Sequence, residues 1–296
     1  MASTSSDIHT IIGPIFTFWK FTGFPAYKLR KDLKFVYTSS ANFYLALVGL
    51  ALLFVFTLCY KSKTIDGVII DDPMSVTGST IMFLENIGIL VLSHRNRNKI
   101  VRVVKALQYS EFLIQKLKKR NVSYTNKVRR GVLKLAVMKY SLTIVVCIVN
   151  GMIIPDAKIT QATYYFNWGF HYAFELAILT YFIILKNQYE ELNQLLSSQN
   201  FRLVDCQTTK DLVTIYSFLK KICDLIRNMS EVFVLMKVVC DTIITSIAVF
   251  YVVRVYKVYP ENLLLSVVSD TMFFTLTAIS NFTLAFVFHG LLKKVI

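Results

Sequence analysis

Seven ionisable side chains interrupt long apolar segments of this chain, and they are the residues best placed to bind a ligand or carry chemistry. In an apolar helix such a group costs roughly 2.5–3.5 kcal/mol on insertion scales, so each is expected to pair or to serve a function. Lys237 and Asp241 lie four residues apart on one helical face and are predicted to neutralise each other. Lys139 lies near the inner end of its apolar segment and is predicted to extend its ammonium group to water. The full set is Glu85, Lys139, His171, Glu175, Lys237, Asp241 and Asp270.

His171 and Glu175 are also four residues apart, and aromatic side chains surround them in the sequence. Polar groups that converge in an apolar, aromatic setting predict a small-molecule site, here open to the outside. The alternative is hydrogen bonding between helices, together with a belt of aromatic residues at the membrane interface. The predicted ligand-binding residues are Glu85, Trp168, His171, Tyr172, Glu175, Asp241, Asp270 and Phe274.

The sequence gives little support to metal binding or enzymatic catalysis. His171 and Glu175 could chelate a metal ion, but the sequence specifies no third ligand, so neither a metal nor a cofactor is predicted. The five cysteines show no metal-binding or disulfide spacing. Because no Ser/His/Asp order and no Gly-rich phosphate loop occurs either, the chain is not expected to be an enzyme.

The elements that would position these residues are six apolar segments, each long enough to be a transmembrane helix. Of the 296 residues, 55% are hydrophobic and the mean hydropathy is +0.53, with the apolar residues concentrated in blocks. We therefore predict one all-α domain over residues 1–296, a polytopic transmembrane helical bundle. The predicted spans cover about residues 42–60, 76–93, 135–154, 163–185, 232–253 and 263–288.

The distribution of basic residues between the spans predicts the orientation of the chain. Residues 1–41, 94–131, 186–231 and those after Phe288 carry 25 of the 33 Lys and Arg residues, whereas the three other connections carry five. By the positive-inside rule, the four basic segments and the N-terminus are cytoplasmic. A G-protein-coupled receptor has its N-terminus outside the cell, so the charge pattern argues against that class of protein. The net charge of +15 is explained by anionic lipid facing these segments, so no nucleic-acid partner is predicted.

The inner connections have a helical pattern of their own. Apolar residues recur with a period of 3.6 from Leu212 to Met229 and again from Ile100 to Leu117. Such stripes either lie on the membrane surface or continue the spans as helices that pack together below the membrane. Packing is favoured, because each stripe adjoins a span without a Gly or Pro break.

Several local features resemble the insect gustatory receptors. Gly23-Phe24-Pro25 before the first span is similar to the Gly-hydrophobic-Pro motif of that family. Asn193 and Leu196, after the fourth span, stand in the Asn-x-x-Leu setting of the family, and the helical stripe before the fifth span also agrees. The resemblance implies a multi-pass plasma-membrane protein of taste perception, in which a tastant binds an outer-facing pocket and gates a cation channel. It also implies assembly with related subunits, as a homo- or hetero-oligomeric tetramer.

One family signature is missing. The seventh span of the family carries Thr-Tyr, five apolar residues and Gln-Phe, whereas this sequence stops at Ile296 and Thr180-Tyr181 is only a near match in the fourth span. The expectation is therefore an incomplete or truncated product that lacks the seventh, pore-lining span. The alternatives are an odorant receptor of the same topology, a non-conducting accessory subunit and a small membrane transporter.

Overall fold

Six helices account for most of the residues that the structure, a computed structural model, describes. They are α1 (Ser40–Ser62), α2 (Pro73–Arg95), α3 (Arg97–Lys118), α4 (Thr125–Ile153), α5 (Lys158–Ser198) and α6 (Cys206–Val258). The predicted all-α class is confirmed, and the first five predicted spans correspond to α1, α2, α4, α5 and α6. The described residues are 12–13, 27–29, 35–37, 40–62, 64–65, 68–69, 73–118, 125–153, 158–198 and 206–258, with 267–268, 271, 274–275, 277–279, 281–282, 285 and 289. Most of the sixth predicted span, 263–288, lies outside them.

Proline explains three of the helix ends. Pro73 is the first residue of α2, where a missing N–H is tolerated because that donor has no partner within the helix. The helices α4 and α6 end two residues before Pro155 and Pro260 respectively. A proline disfavours helical geometry in the residue before it and removes a donor, so both helices stop close to it.

The helices α2 and α3 are joined almost without interruption at Asn96. The backbone N–H of Asn96 donates to the carbonyl of Leu92 at 2.9 Å, and that of Ile100 donates to the carbonyl of Asn96 at 3.0 Å. The side-chain amide of Asn96 donates to the carbonyl of Met229 on α6 at 3.3 Å. The junction is thereby tied to α6, and α3 continues in the bundle beside it.

The apolar stripes of the inner connections are buried in the bundle. The helix α3 packs against α5 and α6, and α5 also packs against α1, α2 and α4, so α5 is the central helix. The predicted packing of the two stripes is confirmed, and an arrangement with α3 lying unpartnered on a surface is wrong. The buried stripe residues are Ile100, Val103, Val104, Leu107 and Ile114 of α3, with Leu212, Ile215, Leu219, Ile222, Ile226 and Met229 of α6.

Two short antiparallel hairpins precede α1 and α2, and the sequence analysis did not predict them. Strand β1 (Tyr27–Leu29) pairs with β2 (Phe35–Tyr37), and β3 (Thr64–Ile65) pairs with β4 (Val68–Ile69). The signal for the second hairpin is Asp66-Gly67 between two β-branched pairs, which favours a two-residue turn. Among the described residues, strands occur only in these two hairpins, and the bundle itself consists of helices.

Apolar side chains form the exposed faces of several helices. Leu50 and Phe54 of α1 are 64% and 63% exposed, and Leu235 of α6 is 65% exposed. The exposed apolar positions of α6 from Val232 to Val253 form a stripe that is interrupted once, between Ile243 and Val249, where exposed Ser246 lies on the same face. However, no helix in the described ranges is both long and apolar enough to cross a membrane.

Candidate functional site

A buried ion pair joins α4 to α5. The ammonium group of Lys139 donates to Glu175 Oε1, and both side chains are fully enclosed, with 3% and 0% exposed. Lys139 Nζ also lies 5.2 Å from the centre of the Tyr172 ring, a cation–π distance. Thr143, one turn along α4, donates its hydroxyl to the carbonyl of Lys139 at 2.9 Å. This pair is therefore a fully enclosed ionic contact between the two helices.

The prediction that Lys139 reaches water is wrong. The helix α4 begins at Thr125, so Lys139 lies in its middle rather than near an end, and its side chain is directed inward to Glu175. A lysine can extend to water only when water lies within reach of its four-carbon stem. Here the nearest ion partner is a buried carboxylate, so the lysine pairs instead.

A second contact between polar groups joins α2 to α5. His171 Nδ1 lies 3.0 Å from Glu85 Oε1, and the two side chains are 8% and 6% exposed. The contact is short, but the atoms are not aligned as a hydrogen bond, so it is an electrostatic contact rather than a directional one. Within the described part of the chain, His171 Nε2 has no hydrogen-bond partner. Glu85 and His171 therefore form the less satisfied of the two interhelical pairs.

The third pair lies within α6 and confirms the sequence prediction. Lys237 Nζ donates to Asp241 Oδ2 at 2.7 Å, one helical turn away. Lys237 is 2% exposed, and its charge acts on both Glu175 and Lys139 across the interior. The three pairs thus form one electrostatic group between α2, α4, α5 and α6. We call it the central cluster: Glu85, Lys139, His171, Glu175, Lys237 and Asp241.

Aromatic rings border the central cluster. Tyr172 is buried and packs edge-to-face against Tyr140 of α4, with the ring centres 6.5 Å apart. The ring of Phe233 on α6 lies 5.7 Å from His171 and 4.5 Å from Phe174. These rings surround the charged groups with apolar material, which strengthens every electrostatic contact between them.

The structure brings together five of the eight predicted ligand-binding residues: Glu85, His171, Tyr172, Glu175 and Asp241. His171 and Glu175 do share a face of α5, but each contacts a different helix, α2 and α4. Phe274, in the short described stretch 274–275, is half-buried. Asp270 and the side chain of Trp168 lie outside the described residues.

Side-chain hydrogen bonds between α3 and α5 were not predicted from the sequence. Gln188 is fully buried, accepts from the Ser110 hydroxyl at 2.8 Å and donates to the carbonyl of Leu107 at 2.9 Å. Next to it, Tyr189 packs edge-to-face on Tyr216 of α6, and burial raises the pKa of the Tyr189 hydroxyl. The available signal was Gln188 itself, an amide within an otherwise apolar helical face.

The central cluster has the groups to hold a polar ligand, since it combines carboxylates, ammonium groups and an imidazole that are buried except for partly exposed Asp241. In the described ranges, no three His, Cys, Asp or Glu residues are grouped so as to hold a metal ion. No protein-family model matches the sequence, and no curated protein is significantly similar to it.

Proposed function

We propose that this chain is a gustatory receptor, a multi-pass plasma-membrane protein with a cytoplasmic N-terminus. In this proposal a small-molecule tastant binds an outer-facing pocket at the central cluster, and the chain acts as a subunit of a ligand-gated cation channel. The receptor class comes from the resemblance of the sequence to that family. The distribution of polar and apolar side chains over the helices supports a location in a membrane.

The observation that carries the proposal is that polarity is inverted between the inside and the outside of the bundle. Glu175 and Lys237 are buried, whereas Leu50, Phe54 and Leu235 are exposed. In water, charged side chains are almost never fully buried and large exposed apolar patches are rare. In lipid the preference is reversed: charged side chains face the bundle interior, because contact with the acyl chains is costly for them, and apolar side chains face the lipid.

The proposed membrane location rests on this division between faces and not on the mean hydropathy of any helical stretch, which in the described ranges falls short of a span. The charged groups that lower that mean in α4 and α6, Lys139, Lys237 and Asp241, face the central cluster. The apolar stripe of α6 from Val232 to Val253 is about 30 Å long at 1.5 Å per residue, close to the thickness of the hydrocarbon core.

The inner ends of the helices also agree with the proposed orientation. Basic side chains are exposed on α3 and at the start of α4, including Lys99, Arg102, Lys105, Arg129 and Arg130. Cytoplasmic basic residues near a membrane are attracted to anionic lipid headgroups. The continuation of α5 and α6 beyond the predicted spans, packed with α3, is the long inner helical structure that the resemblance implies.

Orientation is tested by epitope tags in intact cells. A tag at the N-terminus should bind antibody only after permeabilisation, whereas a tag between Pro155 and Lys158 should bind it without permeabilisation. Glycosylation of Asn121 or Asn228, two acceptor sequences on the proposed cytoplasmic side, would contradict the orientation.

Function is tested by co-expressing the chain with related seven-span subunits while a panel of tastants is applied. Tastant-evoked cation current is the expected result, and Glu175→Gln with Asp270→Asn should reduce it at equal surface expression. An unchanged response in that double variant would mean that the central cluster is not part of the tastant pocket. Uptake of a tastant without current would favour a transporter, and a response to volatile compounds alone would favour an odorant receptor.

A further inference from the structure

We propose that exposed side chains of α3 and α6 form a docking surface for an acidic, partly apolar peptide segment of another protein. The proposal gives the chain a protein partner and does not involve the central cluster. The surface combines two exposed aromatic rings with two pairs of lysines. We call it the α3–α6 patch: Lys105, Tyr109, Phe112 and Lys116 of α3, with Lys210 and Lys221 of α6.

The α3 part of the patch is one face of that helix. Its four members follow one another at intervals of three or four residues, the spacing that places side chains in a row along a helix. Tyr109 is 53% exposed and Phe112 is 59% exposed, and the lysines on either side of them are exposed as well. Glu111, the one acidic residue of α3, is buried. This face therefore presents aromatic rings and positive charge, and its described exposed side chains include no carboxylate.

The helix α6 runs antiparallel to α3 and adjoins this face. The Tyr109 ring meets the Phe218 ring edge-to-face, with the ring centres 5.4 Å apart. Thirteen residues earlier on α3, the Asn96 side chain is hydrogen-bonded to the carbonyl of Met229, which lies eleven residues later on α6. Residue numbers thus fall along α6 as they rise along α3, which fixes the positions that lie level on the two helices.

Each end of the patch carries two lysines. Counting from the contact between the two rings, Lys105 is level with Lys221 at one end. Lys116 is level with Lys210 at the other end. All four are exposed, and no ion pair within the described part of the chain includes any of them. Eleven residues along α3 separate the two ends, so they lie about 17 Å apart at 1.5 Å per residue.

The chemistry of the patch specifies its occupant. Exposed apolar groups rimmed by polar residues mark sites of interaction with proteins, and aromatic side chains are enriched there because each buries a large area. The occupant is therefore expected to place apolar side chains on Tyr109 and Phe112, and carboxylates on the lysines at each end. Because five residues of extended chain span about 17 Å, two acidic pairs centred five residues apart match the two ends.

A protein is favoured over lipid by the distance of the rings from the predicted span, and this step rests on the proposed function. The second predicted span ends at Ser93, and α2 continues almost without interruption into α3. Tyr109 and Phe112 follow Ser93 by 16 and 19 residues, which is about 24 and 28 Å along the helix. The headgroup layer is only about 5–8 Å deep on each side of the hydrocarbon core. Lys99 and Arg102, nearer the span, remain the residues for headgroups.

The test is peptide binding to the whole chain in nanodiscs of zwitterionic lipid, measured by fluorescence anisotropy. The labelled probe is a synthetic peptide of two glutamates, three leucines and two glutamates. The expected result is saturable binding that weakens with added salt, because exposed charges take part. A peptide with lysine in place of glutamate should not bind, and one with serine in place of leucine should bind about fivefold more weakly or less. No binding of the first peptide, or equal binding of all three, would overturn the proposal.

Variants of the patch assign the binding to these side chains. Lys105→Gln with Lys116→Gln should weaken binding of the first peptide about two- to thirtyfold, since two exposed ion pairs are lost. Phe112→Ser should weaken it about fivefold or more. The matched control is Arg130→Gln with Lys134→Gln, which removes the same charge from exposed positions of α4 and should retain the affinity within about twofold. Equal loss of affinity in patch and control variants would mean that only the net charge matters, and the proposal would fail.

Phe112→Trp tests the lipid alternative directly. The difference in fluorescence between this variant and the wild type, which has two tryptophans, reports on position 112. Acrylamide in the water should quench the added signal, the first peptide should reduce that quenching, and brominated lipid should leave the signal unchanged. Quenching by brominated lipid would place the patch in the bilayer and overturn the proposal. No tastant is applied and no current is measured, so failure here is distinguishable from failure of the receptor proposal.

Discussion

The buried pair between Lys139 and Glu175 leads to an unequal pair of predictions. Glu175→Gln removes the carboxylate that pairs with Lys139 and also faces Lys237. Lys139→Met leaves Glu175 near Lys237, which still compensates part of its charge. Glu175→Gln is therefore expected to destabilise the protein more than Lys139→Met does.

The magnitude follows from the burial of both groups, which are 0% and 3% exposed. Removing one partner of a buried ion pair costs about 3–5 kcal/mol, because the other charge is left uncompensated. We expect about 5 kcal/mol for Glu175→Gln and about 3 kcal/mol for Lys139→Met. At about 2–4 °C per kcal/mol, the melting temperature should fall by about 6–20 °C. The double variant should recover about 2–3 kcal/mol relative to the sum of the two, because it removes both charges together.

The assay is fluorescence-detected thermal denaturation of the detergent-solubilised protein, with the free energies taken from a double-mutant cycle. Lys134→Met is the control, since Lys134 is exposed on the same helix and its removal should change stability by less than about 0.5 kcal/mol. The reasoning is refuted if Glu175→Gln has the same melting temperature as the control variant. It is also refuted if the double variant shows the full sum of the single losses, which would mean that the two side chains do not interact.

Three further predictions concern other parts of the bundle. Gln188→Ala should cost about 1–3 kcal/mol in a denaturant titration, because it leaves buried Ser110 and the Leu107 carbonyl with fewer partners, whereas exposed Gln194→Ala should be neutral. Gly131→Ala, with nothing within 4 Å of the added methyl group, should stabilise α4 by about 0.5–1 kcal/mol, whereas Gly88→Ala places Cβ 2.7 Å from Met236 Sδ, so that flexible side chain must move and the stabilisation should be smaller. Burial, and then Asp224, raises the pKa of the Cys223 thiol above its ordinary value, so maleimide labelling near neutral pH should be slower than at an exposed Ser217→Cys and should rise with pH.

The sequence was sufficient to predict the helices because their signal is local. Long apolar runs and the 3.6-residue stripes of α3 and α6 depend only on neighbouring residues, and both are found as helices in the structure. The pairing of Lys237 with Asp241 was predictable for the same reason, since two residues one turn apart in a helix always share a face. The hairpin at β3 and β4 carried an equally local signal in Asp66-Gly67, which the emphasis on apolar runs overlooked.

The contacts between helices could not be predicted, because they depend on the rotation of each helix about its axis. His171 and Glu175 share a face of α5, yet that face lies between α2 and α4, so the two side chains contact different helices. A rotation of one residue, about 100°, would have directed them elsewhere. The position of Lys139 depended in addition on where α4 begins, which is ten residues before the predicted span, at Thr125.

The arrangement of the central cluster explains why its members differ in their expected roles. Lys139 with Glu175 and Lys237 with Asp241 are each made of one cation and one anion, so both pairs are balanced and serve mainly to fix the helices. Glu85 and His171 lie 3.0 Å apart without a directional hydrogen bond, so their contact is the least satisfied of the three. If a tastant binds at the central cluster, as proposed, its polar groups are expected to contact Glu85 and His171, and Glu85→Gln should lower its affinity.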